Sequence, residues 1–261
     1  MAEPEDVSRC TRLRLSYADT HGSDWLRETI VSGYGQATSE NLLCFAGAQE
    51  ALTCVLRALL SPGDHAILVL PCYSPTEVVL ISRCAVTGVA LDSENGWALD
   101  IDRVADAIRP ATRLVLVNFL NNPTGKRIGT STLDALVELC GEHSLWLVNE
   151  EVYRLIDHVP EKRPLPVVDA FERGISIDAA SKSLGLPGLR VGWIACRDRA
   201  VLSMAFQAKH LASGSLASPS EILADIAVRA MDRILARNQA IAGENLQLLR
   251  DFFADFADAL D

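Results

Sequence analysis

Residues 181–193 read Ser181-Lys182-Ser183-Leu184-Gly185-Leu186-Pro187-Gly188-Leu189-Arg190-Val191-Gly192-Trp193, and the rest of the chain is best read outward from them. They follow a continuous apolar run at 175–179 and lead into another at 191–196, the pattern of a connection between two buried strands. Most lysines are solvated surface residues, but this one is set among three glycines, a proline and a tryptophan. Its amine is a candidate nucleophile. An amine attacks a carbonyl only when unprotonated, a form favoured by desolvation or a neighbouring cation. Arg190 closes the stretch with a planar fork suited to a phosphate.

On both sides, short apolar runs rich in β-branched residues alternate with longer amphipathic ones. Strands are predicted at 42–46, 66–70, 86–91, 114–118, 145–149, 175–179 and 191–196. Helices are predicted at 49–60, 75–84, 102–108, 131–143 and 199–211, with Ser61-Pro62-Gly63-Asp64 as a stop and turn after the first. That rhythm predicts an α/β fold of βαβ units around a mainly parallel sheet of roughly seven strands. From Pro219 the chain reads as one long, Ala-rich, charged helix running nearly to Asp261 and interrupted only by Gly243. An apolar stripe on such a helix needs something to pack on.

The formal charge is -10, and the 24 Lys and Arg are scattered rather than gathered into a stripe, which argues against nucleic acid or an anionic membrane as partner. Seven cysteines, an odd number without CxxC or Cys/His spacing, read as reduced residues of a cytoplasmic protein and give no metal site. The first 12 residues are polar and acidic, unlike a signal peptide, and no apolar run approaches the length of a membrane span. A soluble enzyme acting on small molecules is the expectation.

Five further segments carry candidate chemistry. Gly47-Ala48-Gln49-Glu50 falls at a predicted strand-to-helix junction, where free amides favour an anion, although a tight turn is the commoner role. Asn121-Asn122-Pro123-Thr124-Gly125 follows a strand end, where open α/β sheets bind ligands, and reads equally as a plain turn. Glu150-Glu151-Val152-Tyr153 puts two carboxylates at the end of a very apolar strand; each either meets a cation or turns to solvent. Pro71-Cys72-Tyr73 sets an aromatic at another strand end, able to stack on a flat ring or to join the core. Tyr17 has no role that spacing alone assigns.

Taken in this order, the segments resemble the fold-type I pyridoxal-phosphate (PLP) enzymes of the class I/II aminotransferase family, from about Tyr17 onward. The resemblance runs through Gly47-Ala48-Gln49-Glu50-Ala51, Pro62-Gly63-Asp64, Pro71-Cys72-Tyr73, Asn122-Pro123-Thr124-Gly125, Ser181-Lys182 and Gly188-Leu189-Arg190. Within the family it is nearest in look to amino-acid aminotransferases and to the related capreomycidine synthases. The resemblance implies a three-layer α/β/α fold, a Lys182 Schiff base with PLP, and a phosphate gripped by Arg190 and the backbone of Gly47, Ala48 and Gln49. It further implies that Tyr73 stacks on the pyridine ring, that Asn122 and Tyr153 bond the ring's phenolate oxygen, and that Tyr17 reaches the phosphate of the neighbouring subunit in a homodimer. Lys182, Tyr73 and Glu150 would be the catalytic residues.

The sequence departs from the family's pattern at three places. Glu150 stands where the family has Asp three residues before the tyrosine. Ala179 stands where many relatives carry a phosphate-binding serine, with Ser181 nearby. The expected organisation is an N-terminal segment at 1–40 on the dimer edge, a PLP-binding large domain at 41–218 and the long helix at 219–261, ending before the family's small C-terminal domain. Transamination between an amino acid and a keto acid is the leading expectation. A catalytically silent protein that binds cofactor or dimerises, and a lyase or cyclase of the capreomycidine synthase type, are the alternatives.

Overall fold

The computed structural model describes residues 2–157 and 159–256. Two helices, α1 (Pro4–Thr11) and α2 (Asp24–Val31), precede an alternation of strand and helix. This runs β1 (Leu42–Phe45), α3 (Ala48–Leu59), β2 (His65–Leu70), α4 (Ser74–Ile81), β3 (Ala85–Ala90), α5 (Ile101–Asp106), β4 (Thr112–Val117), α6 (Thr130–Glu142) and β5 (Trp146–Glu150). It continues through α7 (Val167–Ala170), β6 (Gly174–Ala179), β7 (Gly192–Cys196), α8 (Arg199–His210), α9 (Ser218–Arg229) and α10 (Met231–Asp255). Each predicted strand is found within two residues of its expected ends, because runs of Leu, Ile and Val bounded by turn residues satisfy a fully buried strand and little else.

The sheet has seven strands in the order β1-β7-β6-β5-β4-β2-β3. Only β7 runs against the others: it pairs antiparallel with β1 and β6, and the remaining pairs are parallel. Strand side chains alternate faces, and the core divides accordingly. Leu43, Phe45, Leu68, Leu116, Ile177 and Ile194 pack beneath α3 and α8 on one face. On the other face, Ile67, Val69, Val115 and Leu147 pack against α5 and α6, and Leu42, Cys44, Trp193 and Ala195 against α2 and α9. The result is three layers, α/β/α.

One expectation needs correction. The stretch after Pro219 is two helices, broken at Ala230 (φ -96°, ψ 16°), and Gly243 lies unbroken inside α10. α9 buries Ile222, Ala224, Ala227 and Val228, whereas α10 buries no residue, so the break falls where the chain leaves the packed body. The polar N-terminus is held by its own cap and by ion pairs. α1 begins with a Pro4 start and a capping box between Glu3 and Asp6, and it is tied to α9 by Arg9–Asp225 (2.7 Å) and Arg229–Asp6 (2.5 Å). Among the described residues no helix is long and apolar enough to cross a membrane.

Candidate active site

The carboxyl ends of the parallel strands share one edge of the sheet, and reversal of β7 brings its amino end to the same edge. A cavity of about 290 Å³ lies there, lined by Ala48, Gln49, Tyr73, Asn122, Glu150, Tyr153, Ser181, Lys182 and Arg190. Segments separated by more than a hundred residues of sequence thus meet at the place where open α/β sheets bind ligands.

One end of the cavity is built for an anion. Gly47 joins β1 to α3 at φ +97°, a conformation few residues other than glycine adopt. A Cβ there would come within 2.3 Å of Arg190 Nη2, so the missing side chain lets the guanidinium lie across the junction. Arg190 donates from Nη1 to the Pro187 carbonyl (3.1 Å) and from Nη2 to the Ala46 carbonyl (3.3 Å), and its own backbone is left-handed at φ +53°. Such strain is held in place by its surroundings and clusters at functional sites. Gly192 completes the packing, since a Cβ on it would sit 2.5 Å from the Gly47 carbonyl carbon. The Gly47 amide is committed to the Phe45 carbonyl (2.7 Å), so the first-turn amides left for a ligand are those of Ala48, Gln49 and Glu50, of which Ala48 and Gln49 line the cavity, and Gly47 contributes shape.

Lys182 sits on the turn that leaves β6. The turn is closed by Ala180 N–H to the Val191 carbonyl (3.0 Å) and Leu186 N–H to the Ala180 carbonyl (3.0 Å), and the buried Ser183 hydroxyl anchors it to the Val152 carbonyl (2.8 Å). The lysine itself is exposed at the cavity mouth, its Nζ 5.8 Å from the centre of the Tyr153 ring. Glu150, by contrast, is only 7% exposed and accepts from the Thr76 hydroxyl (3.0 Å). Burial pushes its pKa up; the Thr76 bond and the Lys182 charge pull the other way.

Neither carboxylate after β5 turns to solvent. Glu151 is fully buried and accepts from Val167 N–H (2.9 Å) and Asn149 Nδ2 (3.2 Å), with Arg154 Nε 3.5 Å away. Asn118, 2% exposed and not singled out in the sequence, donates to the Glu150 carbonyl (2.7 Å) and accepts from Asn122 N–H (2.8 Å), setting the loop that presents Asn122. Asn121 faces the other way and ties this loop to the Pro71 carbonyl (3.0 Å) beside Tyr73. Tyr73 is 47% exposed, so its ring is offered to the cavity rather than to the core. Ala179 lines the cavity as well. Tyr17 is not brought to this cavity: it is 97% exposed and borders a separate cleft with Arg9, Arg12 and Glu221. In the sequence Thr76 fell inside the predicted helix at 75–84 and Asn118 at the end of the predicted strand at 114–118, and neither position carries a signal that selects it.

The family description "Aminotransferase class I and II" matches residues 2–260. The chain belongs to the class I and II aminotransferase family. Members of that family depend on PLP, the cofactor the sequence resemblance implied. The chain is 33% identical over 232 residues to an arginine–pyruvate transaminase of Pseudomonas aeruginosa, covering 86% of this chain and 58% of that protein. It is 30% identical over 234 residues to an aspartate/prephenate aminotransferase of Thermus thermophilus, covering 84% and 58%. This member thus spans somewhat over half the length of these curated relatives. A PLP-dependent aminotransferase structure from Streptococcus suis superposes with a TM-score of 0.91 at 28% identity, over 96% of this chain and 66% of that one. A methionine aminotransferase structure from Escherichia coli superposes at 0.88 with 20% identity, a likeness of fold.

Proposed function

We propose that this chain supplies the cofactor site of a PLP-dependent aminotransferase that passes an amino group from an amino acid to a keto acid, with Lys182 as the amine that engages the cofactor's aldehyde. The supporting observation is that one cavity gathers a primary amine, an anion-binding end, an exposed aromatic face and a buried carboxylate. The residues fit the cofactor. Arg190 with the amides of Ala48 and Gln49, and Ser181 beside them, suits the phosphate; Tyr73 suits the face of the ring; Asn122 and Tyr153 suit its phenolate oxygen; Glu150 suits its nitrogen. Bound PLP supplies an electron-withdrawing ring that stabilises negative charge at the substrate's Cα.

The chain's own residues do the rest. Lys182 Nζ takes the α-proton and returns it, and its position at an open cavity mouth leaves room for an amino acid to approach. Glu150 must be ionised to hold a proton on the ring nitrogen, and the Thr76 hydroxyl and the Lys182 charge favour that form against burial. Glutamate reaches one methylene further than the family's aspartate, and its bond to Thr76 fixes where that extra length goes. Tyr17, exposed and away from its own cavity, is free to reach the phosphate of a neighbouring copy, which makes a homodimer part of this reading. Cytoplasmic residence belongs to the same reading, supported by all seven cysteines being free thiols, among them Cys44 and Cys196 buried in the core.

Mixing the purified protein with PLP and recording visible absorbance tests the proposal. A new band is expected, together with its decay and formation of a keto acid when the right amino acid is added from a panel. An unchanged spectrum would remove the cofactor reading. A band inert to every amino acid would leave a cofactor-binding protein without transferase activity.

A further inference from the structure

Two buried charged residues on α8 and α9 take no part in the cofactor site. Lys209 is 0% exposed and Glu221 1%. Lys209 follows Val201 and Ala205 at four-residue spacing on the buried face of α8, a stripe where an apolar side chain would pack without the cost of burying a charge. Glu221 stands on α9 one turn before the buried Asp225, which holds Arg9 of α1. Both charges go to the same short piece of backbone. Lys209 Nζ donates to the Thr20 carbonyl, and the Glu221 carboxylate accepts from the Ser23 amide (3.1 Å) and the Ser23 hydroxyl (2.5 Å). Between these points the His21 carbonyl accepts from Cys44 N–H (2.9 Å) and the Gly22 carbonyl from Arg27 Nε (3.0 Å). Thr20, His21, Gly22 and Ser23 are thus bonded in turn to α8, β1, α2 and α9.

The stretch just before this turn is the reverse. Among the described residues, 14–18 enter no hydrogen bond or ion pair, and Leu15 and Tyr17 point to solvent. At its other end the stretch joins α1, which is fastened to α9 through Arg9–Asp225 (2.7 Å) and Arg229–Asp6 (2.5 Å). An arm without bonds of its own is therefore held between two fastened ends, with an aliphatic and an aromatic side chain offered outward. Fixing the ends of such an arm reduces the ordering that a partner must impose on it. Arg12 and Arg14 give the arm positive charge on a chain whose formal charge is -10, so a second copy offers it a surface of opposite sign.

We propose that Lys209 and Glu221 are positioning residues that brace the turn at 20–23, so that the arm at 14–18 presents Tyr17 to a second copy of the chain. This rests on the homodimer of the proposed function and adds what that reading lacks, a reason why an exposed tyrosine keeps a defined place. Lys209 acts on the turn through a backbone carbonyl at its start, and Glu221 through an amide and a hydroxyl at its end. The turn is therefore gripped at both ends from the packed body, three residues after Tyr17.

The brace is tested first without PLP, by limited trypsin digestion with cleavage after Arg12 and Arg14 followed by mass spectrometry. Lys209→Met keeps the volume and leaves the Thr20 carbonyl without its donor, so cleavage at both sites should rise severalfold while the hydrogen-exchange protection of β4 and β5 stays that of the wild type. Ser23→Ala removes the hydroxyl bond to Glu221 and should act in the same direction more weakly; it decides where Lys209→Met does not fold. Unchanged cleavage would overturn the proposal. The second measurement is PLP affinity by absorbance titration, in the wild type and in Tyr17→Phe. Lys209→Met should weaken binding about tenfold in the first background and not in the second, because the brace acts through the tyrosine hydroxyl. Equal losses in both, with Tyr17→Phe itself weakened, would make Lys209 a residue of the fold alone and overturn the proposal. Failures of the proposed function read differently: a missing visible band removes the cofactor, and wild-type affinity in Tyr17→Phe removes the phosphate role of Tyr17, with the cleavage result then deciding the brace.

Discussion

Glu150 and Glu151 are neighbours in the chain, end the same strand, and are both buried, yet they face different chemistry. Glu150 looks into an open cavity, is bonded by one hydroxyl and lies within reach of the charge on Lys182. Glu151 points to the other side, into a closed cluster where Val167 N–H, Asn149 and Arg154 surround it. Period-two alternation at a strand end makes this division unavoidable: successive side chains serve opposite faces. The difference teaches that the strand end has one side open to a cavity and one side closed into the interior. Removing groups on the first side should cost chemistry, and on the second, folding.

On the proposed function, Lys182→Ala should give the largest effect, abolishing the visible band and lowering turnover by about 10⁴-fold or more, because the amine is proposed both to engage the cofactor and to move the proton. Its unfolding midpoint should stay near that of the wild type, since the side chain is exposed. A large loss of stability would break the division. Glu151→Ala is the opposite case. It strands the Val167 amide, the Asn149 side chain and the Arg154 guanidinium in the interior, and the expected cost is about 3–5 kcal/mol in denaturant unfolding, with PLP affinity kept by the fraction that stays folded.

The division was half legible in the sequence. The adjacent carboxylates after 145–149 announced that something had to satisfy them, and Lys182 is one answer. Asn149, Arg154 and the Val167 amide were not visible as the other, because the local pattern does not say which buried donors the fold brings to a strand end. Strand positions were clear because buried apolar runs satisfy few alternatives. The break at Ala230 was not, since alanine is the best helix former and the chain turns there for reasons of packing. Gly243 looked like the interruption but lies on a helix that buries nothing, where glycine costs only about 1 kcal/mol. Tyr17 was singled out by resemblance alone, and its exposure keeps it a proposal about a neighbouring copy.

Gly47→Ala sharpens the comparison at the anion end. The added methyl meets Arg190 Nη2 at 2.3 Å in a backbone conformation that disfavours any side chain. The guanidinium must swing away, weakening PLP binding by about 1–3 kcal/mol, read as a shift of the absorbance titration. Arg190→Lys should weaken binding in the same direction while leaving the unfolding midpoint unchanged, because the guanidinium is exposed and its fork is what a phosphate needs. Equal affinities for the wild type and Gly47→Ala would mean that phosphate does not bind here.

Thr76→Val gives the smallest effect and the sharpest reading of Glu150. It removes one hydroxyl of a fully buried residue with almost no change of shape, leaving Glu150 without the bond that favours its charged form. The expected loss is about 1–2 kcal/mol near neutral pH. Burial already raises the Glu150 pKa above its unfolded value, so its stabilising contribution is complete below the ordinary carboxylate range and is lost as pH rises through the folded value. Without Thr76 that folded value moves higher still. The destabilisation measured by thermal unfolding should therefore shrink on the acid side, where Glu150 is protonated in both proteins, and the acid limb of the transamination rate profile should move to higher pH. A stability difference that does not change with pH would show that Thr76 is a packing residue and that Glu150 takes its ionisation from Lys182 alone.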